Sequence, residues 1–188
     1  QMSPEVKEKA EIDKFIRGLK EDFPSSETMS HAARLIEYAV RKDEHLILSN
    51  PDQLLLNWTD EEYKLFRRLE QVRYGNKIQN GFSSVDDFIV MANQVLNRRK
   101  SRAGKSLEHH LSAIFDGNHI RYTAQGITEG NKKPDFIFPS IEEYHNRAFS
   151  IENLCTLAAK TTCKDRWRQV LNEADRLRDR NKYLCTLQ

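Results

Sequence analysis

The 188-residue chain is poor in the residues that usually announce a special architecture, with three cysteines, seven glycines and five prolines. Cys155, Cys163 and Cys185 are odd in number and show no C-x-x-C spacing, which argues against a disulfide framework or a cysteine-rich zinc site. Three reduced thiols in a cytoplasmic protein are the simplest expectation. Low glycine and proline exclude a collagen-like or low-complexity chain, and 9% aromatic residues among scattered apolar positions argue against global disorder. The longest purely apolar run is Phe88-Ile89-Val90-Met91-Ala92, far short of the ~18 to 20 residues that cross a bilayer. No charged-apolar-small leader opens the chain, so neither a membrane span nor a secretion signal is expected. What remains is one ordinary domain with a small extension, able to pack a core.

Charge is present in quantity but unevenly placed. Residues 1 to 97 hold 13 Lys and Arg against 17 Asp and Glu, whereas residues 98 to 188 hold 17 against 11. Arg98, Arg99, Lys100, Arg102 and Lys105 form a basic run without an acid, so a polyanion is expected to meet the C-terminal part. A run of this kind is also the ordinary signature of a solvated face.

Periodicity makes residues 1 to 97 a helical lead. Pro4 to about Lys20 places Ile12, Phe15, Ile16 and Leu19 on one stripe, and Thr28 to Lys42 does the same with Ala32, Leu35, Ile36 and Val40. Thr59-Asp60-Glu61-Glu62 reads as a capping box opening a helix that runs to Gly75. Ser84 to Arg98 repeats the helical pattern. After Arg102 the pattern changes: a short helix from Lys105 to Phe115, strands at Ile120–Tyr122, Asp135–Phe138, Asn153–Ala159 and Tyr183–Cys185, and a charged helix from Lys164 to Arg180. The expected fold is α/β (α+β), a mixed central sheet flanked by helices at residues 98–188 with the lead packed on it or extending it. Both ends read as cut, which suggests a piece of a longer protein.

Three residues near the strands carry chemistry. Asp135 follows Pro134, Lys160 ends the next strand, and Glu173 lies on the helix after it. Two carboxylates can share Mg²⁺, which keeps several waters and binds through one or two carboxylates plus a substrate phosphate. An ammonium beside them can orient an attacking water and offset phosphate charge. Taken blindly, such a trio in so charged a chain is most often a surface ion-pair network.

The wording around the trio points further. Lys133-Pro134-Asp135-Phe136-Ile137-Phe138-Pro139, then Ala158-Ala159-Lys160-Thr161-Thr162-Cys163-Lys164-Asp165-Arg166-Trp167-Arg168-Gln169 and Glu173, resembles the catalytic core of EcoRII-type restriction endonucleases, a group within the PD-(D/E)XK nucleases. Pro134-Asp135 matches the PD element and Lys160 its lysine, while the usual acid two places earlier is replaced by Ala158. In one branch of these enzymes that acid sits on the following helix, and Lys160, Asp165, Arg166 and Glu173 fit its pattern. Ser101 to Glu108 also looks like the helix before the core, where an acid such as Glu108 faces the active site.

The resemblance implies Mg²⁺-dependent cleavage of double-stranded DNA at a CC(A/T)GG-type site, with Asp135 and Glu173 holding the metal, Lys160 positioning water and Glu108 supporting them. It also implies a homodimer, and in full-length enzymes a separate N-terminal DNA-binding regulatory domain and further chain beyond Gln188. Lys164-Asp165-Arg166 at a helix start can read a C·G pair, since Arg pairs with guanine and Asp accepts from cytosine. Arg98, Arg99, Lys100, Arg102 and Lys105 would clamp phosphates, and Tyr144 would pack or touch the DNA backbone. The rival reading is a DNA-binding module with an inactive nuclease core.

Other signals are weaker. Gly104-Lys105-Ser106 imitates a P-loop end, but Arg99 stands where glycine is required. His109 and His110 are adjacent, too far apart around a helix to chelate one ion, and are expected at the surface.

Overall fold

A computed structural model describes residues 3–162, 167–180 and 182–187. Two compact units divide the chain, residues 1–110 and 111–188.

The first unit is helical. Helix α1 (Pro4–Gly18) starts at Ser3, whose Oγ accepts from the Val6 amide, with Pro4 at the first position, where its missing N–H is no loss. Helix α2 (Ser26–Arg41) is capped by Ser25, whose Oγ accepts from the Thr28 amide at 3.1 Å. After a single turn, α3 (Leu46–Ser49), Asn50 caps the 30-residue helix α4 (Pro51–Asn80). Ile12 and Ile16 of α1, Met29, Ala33 and Ile36 of α2, and Leu65, Phe66 and Leu69 of α4 interlock as one buried cluster. Truncating a fully buried leucine such as Leu69 would cost about 2 to 5 kcal/mol.

Two local signals are overruled here. The Thr59 capping box is not a helix start: Thr59 lies within α4, its hydroxyl donating to the Leu55 carbonyl at 2.7 Å. The start lies nine residues earlier, at Asn50-Pro51, a cap and a first-turn proline. Glu62 is buried instead, accepting from Ser30 Oγ at 2.7 Å, Ser106 Oγ at 2.8 Å and Arg102 at 3.2 Å. His110 is fully buried too, contrary to the surface expectation, with Nε2 2.9 Å from Glu62 and Nδ1 3.2 Å from the Arg34 guanidinium. Arginine has only donors, so Nδ1 accepts and the neutral ring carries its proton on Nε2, toward Glu62. Burial pushes the imidazole below its ordinary value. Burial opposes ionisation of Glu62 as well, but the donors from His110, Ser30 and Ser106 outweigh it and hold that carboxyl low.

The two helices expected at 84–98 and 105–115 are one, α5 (Val85–Gly117). Gly104 lies within it with open space around its Cβ position, so nothing there demands a break. The boundary between the two units falls along this helix.

The second unit is built on four described strands in the order β1 (Thr123–Ala124), β2 (Phe136–Phe138), β3 (Cys155–Lys160), β4 (Lys182–Thr186). The β1–β2 and β2–β3 pairs are antiparallel, and β3–β4 is parallel with Ala158 opposite Leu184. This mixed sheet with flanking helices is the expected fold class. The strand expected at 120–122 is displaced to two residues, because Ile120 bonds back to Phe115 and Tyr122 joins an aromatic cluster with Phe115, Phe136 and Phe138. Gly126 sits where an added Cβ would lie 3.1 Å from the Cδ1 atoms of Ile137 and Ile141, so any larger residue in the loop after β1 would make these side chains shift by a few tenths of an ångström. After α6 (Ile141–His145), Tyr144, Leu154, Ala174 and Leu177 pack with Ile137 as the core of this unit.

The helix expected from Lys164 to Arg180 is much shorter. Helix α7 (Trp167–Asn172) gives way to a bend at Glu173, where Ala174 takes a left-handed conformation (φ 56°), and a 3₁₀ turn follows at Asp175–Leu177. Glu173 therefore lies at a bend and not on a helix face.

The first unit also buries acids without donors. No donor reaches either Glu61 oxygen among the described residues, and burial followed by neighbouring Glu8 raises its pKa to about 8. A raised carboxyl holds its proton more tightly in the folded than in the unfolded chain, so folding stability falls as pH rises from 4.5 towards about 8 and levels beyond. Glu61→Gln keeps the shape and removes the buried charge. Thermal melts should show this variant gaining on the parent as pH rises from 5 to 8, reaching roughly 1 to 3 kcal/mol; a gap constant with pH would mean that Glu61 does not titrate in that range.

Candidate active site

Asp135 stands just before β2, where Pro134 pre-sets an extended approach. Its backbone carbonyl accepts from the Gln125 amide at 3.1 Å, carrying the β1–β2 pairing one residue further. The residue is 6% exposed, and both side-chain oxygens accept hydrogen bonds. Oδ2 accepts from the Ala159 amide at 2.8 Å and from Lys160 Nζ at 2.6 Å, and Oδ1 accepts from the Gln125 side-chain amide at 3.2 Å. The antiparallel register that sets Phe136 against Leu157 brings the last residues of β3 alongside Asp135. A carboxylate this buried is tolerated because donors surround it.

Glu173 joins the pair through the bend after α7. Its carboxyl is half-buried, and burial raises its pKa, with the Asp135 charge the next cause; Lys160, Lys182 and Lys132 oppose the rise. Two carboxylates that feel each other, with a lysine between their effects, make a place where a cation would relieve repulsion. Among the described residues no three or more His, Cys, Asp or Glu side chains gather as a self-sufficient metal cage. The donor set nonetheless fits Mg²⁺, which takes one or two carboxylates and completes its shell with water and substrate oxygen. Ala158, in the place of the usual acid, is 2% exposed in the sheet.

The bend that presents Glu173 is pinned by Tyr144 together with groups that local sequence reading did not single out. Glu129 Oε2 accepts from the Tyr144 hydroxyl at 2.6 Å and the Asp175 amide at 3.1 Å. The Tyr144 oxygen accepts in turn from the Arg176 amide at 3.1 Å. Tyr144 is 1% exposed, and burial followed by its bond to Glu129 pushes the phenol well above its ordinary value. Of the two expectations for Tyr144, the structure shows packing. Lys132 and Lys182 reach carbonyls at the end of α7. The only advance signal for these groups was their position in turns flanking the strands.

The basic run is largely committed within the first unit. Arg98 stacks 3.9 Å from the Phe23 ring centroid and donates to the Tyr74 hydroxyl, and Arg99 makes two 2.7 Å bonds to Glu70. Arg102 bonds Glu62 and lies over Phe66. These three depart from the picture of free phosphate clamps; Lys100 and Lys105 are exposed. Glu108 is half-buried on α5. Lys164, Asp165 and Arg166 lie outside the described residues.

No helix among the described residues is long and apolar enough to cross a membrane. Comparison with known proteins places the geometry in a family. The chain is 51% identical over 159 residues, 83% of its length, to the Type II restriction enzyme EcoRII of Escherichia coli, and 32% identical over 97 residues to the Type II restriction enzyme SsoII of Shigella sonnei. It spans 38% of the first relative and 31% of the second. Among solved structures, metal-depleted Ecl18kI in complex with uncleaved, modified DNA matches the whole chain and 68% of its own at TM-score 0.69 and 22% identity. A PspGI-substrate DNA complex matches 90% of this chain and 71% of its own at TM-score 0.70 and 18% identity; both share the fold. A family model described as EcoRII C terminal covers residues 66–188, and the chain belongs to that family.

Proposed function

We propose that this chain is the catalytic part of a cytoplasmic type II restriction endonuclease that hydrolyses phosphodiester bonds in double-stranded DNA at a CC(A/T)GG-type site with Mg²⁺. The observation that carries the reading is Asp135 bonded at 2.6 Å to Lys160, with Glu173 electrostatically coupled to both. The kinship to type II restriction enzymes and the DNA complexes of the similar folds support the substrate.

In this reading Asp135 and Glu173 hold the metal, which supplies polarisation of the phosphoryl oxygen when bound. Asp135 is oriented in advance by the Ala159 amide and the Gln125 side chain, so its free lone pairs have one direction to offer. Lys160 keeps its side chain 18% exposed while its ammonium remains anchored to Asp135, from where it would meet a water or a phosphate oxygen. Glu173 must lose its proton to act, and its raised pKa places that step above the ordinary carboxylate range. Glu108 supports the metal shell or a base. Lys164, Asp165 and Arg166 read the site, while Lys100 and Lys105 meet phosphates.

A nearly palindromic target calls for two copies related by a two-fold axis. Val85, Phe88, Ile89 and Leu96 form an exposed stripe at helical spacing on α5. An antiparallel pairing of two such helices about Ala92 sets Phe88 against Leu96 and the acidic Asp86-Asp87 start against the basic Arg98–Lys100 end, which suits a homodimer. Phe88→Asp should shift the protein from dimer to monomer in sedimentation equilibrium; an unchanged mass would move the interface elsewhere.

Incubation with plasmid DNA and Mg²⁺ should yield discrete fragments, and EDTA should abolish them. DNA that is bound but never cut would favour the inactive binding module. Lys160→Ala should abolish cutting while specific binding in EDTA survives, because an ammonium at the scissile phosphate matters most as the transition state forms. Cleavage at the parent rate would remove Lys160 from the mechanism. Arg166→Ala should lose about 1 to 3 kcal/mol of discrimination between the specific site and random duplex; equal weakening on both would make Arg166 a phosphate contact.

A further inference from the structure

Resting on the reading of Glu173 as a metal-holding acid, we infer that Lys182 and Lys132 are positioning residues that clamp the end of α7 and so aim the Glu173 carboxylate. A six-residue helix leaves its last carbonyls without intrahelical partners. Lys182, the first residue of β4, places Nζ 2.8 Å from the Leu171 carbonyl and also bonds the Glu173 carbonyl. Lys132, from the turn before β2, places Nζ 2.5 Å from the Asn172 carbonyl and 3.5 Å from the Asp175 carboxylate. Three consecutive carbonyls, 171 to 173, are thus held by two ammonium groups arriving from different parts of the sheet.

The geometry explains why two cations are used where a regular helix would need none. Once Ala174 turns left-handed the helix ends, and the Glu173 backbone keeps only its amide bond to the Val170 carbonyl at 3.3 Å on the α7 side. A cation at a helix C-terminus is favourable in its own right, since the carbonyls carry the negative end of the dipole. Ala174 is fully buried and Leu177 behind it is too, so the C-terminal side of the bend is fixed by packing, while the α7 side is fixed by the lysines. Both ammonium groups also contribute positive potential at the Glu173 carboxyl, favouring its ionised form. Neither lysine bonds the Glu173 carboxylate, so its oxygens are left for a cation.

Groups that orient metal ligands typically alter metal affinity or activity by about 10- to 100-fold. The test uses Mn²⁺ as the probe, its free-ion paramagnetic resonance signal reporting binding to the protein alone and with duplex. Lys182→Met should raise the Mn²⁺ dissociation constant about tenfold and slow cleavage, Lys132→Met should act in the same direction, and Lys182→Arg should recover most of the loss. DNA binding in EDTA should be unchanged in all three. Parent-like Mn²⁺ affinity in Lys182→Met overturns the clamp, and so does a loss of DNA binding in EDTA that parallels the loss of metal, because that marks general damage. Glu173→Gln separates the two layers: if it binds Mn²⁺ and cuts like the parent, the acid assignment fails and the clamp with it, whereas its failure beside an unaffected Lys182→Met overturns the clamp alone.

Discussion

The bond between Asp135 and Lys160 is the constraint on which the second unit turns. A carboxylate on a residue only 6% exposed cannot keep its charge without donors, and three reach it, two from β3 and one from the loop after β1. The same donors that make burial tolerable dictate which lone pairs remain and where they point. Removing one partner of such a pair leaves an uncompensated buried charge, a loss of about 3 to 5 kcal/mol in well-buried cases. Stability and the geometry of the candidate site are therefore two readings of one arrangement.

The first unit solves a comparable problem in another way. Glu62 is fully buried among Ser30, Arg102, Ser106 and His110, residues drawn from α2 and α5, and every contact donates to it. Glu61, next to it in sequence, faces the other way and finds no donor among the described residues. Adjacent glutamates on one helix thus titrate in opposite directions, one held below its ordinary value and the other raised to about 8. Side-chain direction around the helix, about 100° per residue, is enough to separate their fates.

Local pattern was a good guide where burial and periodicity agree. The stripe of Ile12, Phe15 and Ile16 lies on α1 as its spacing required, with Leu19 just past its end, and Ala32 and Ile36 face the same cluster from α2. The Pro134-Asp135 and Lys160 pair was legible because each stands at an end of a short strand, and strand pairing brings such ends together. The pattern misled wherever a polar motif had two uses. Thr59 through Glu62 satisfies the capping-box formula, but the apolar face of α4 continues through it, and packing against α1 and α2 outweighs a local cap. Arg98, Arg99 and Arg102 looked free because their partners Tyr74, Glu70 and Glu62 lie more than twenty residues away.

The amino-acid order by itself determined the helical character of the lead and the change of pattern after Arg102, because these depend on residue type and short-range spacing, whereas the acid-lysine-acid trio stood out only through the family resemblance around it. Only the tertiary structure decided that Glu173 sits on a bend and not on a helix face, that His110 and Tyr144 are interior, and that two lysines close the end of α7. The reason is physical: a local stretch sets what a backbone can do, but whether a charged group is buried, and which donor meets it there, is decided by segments that arrive from elsewhere in the chain.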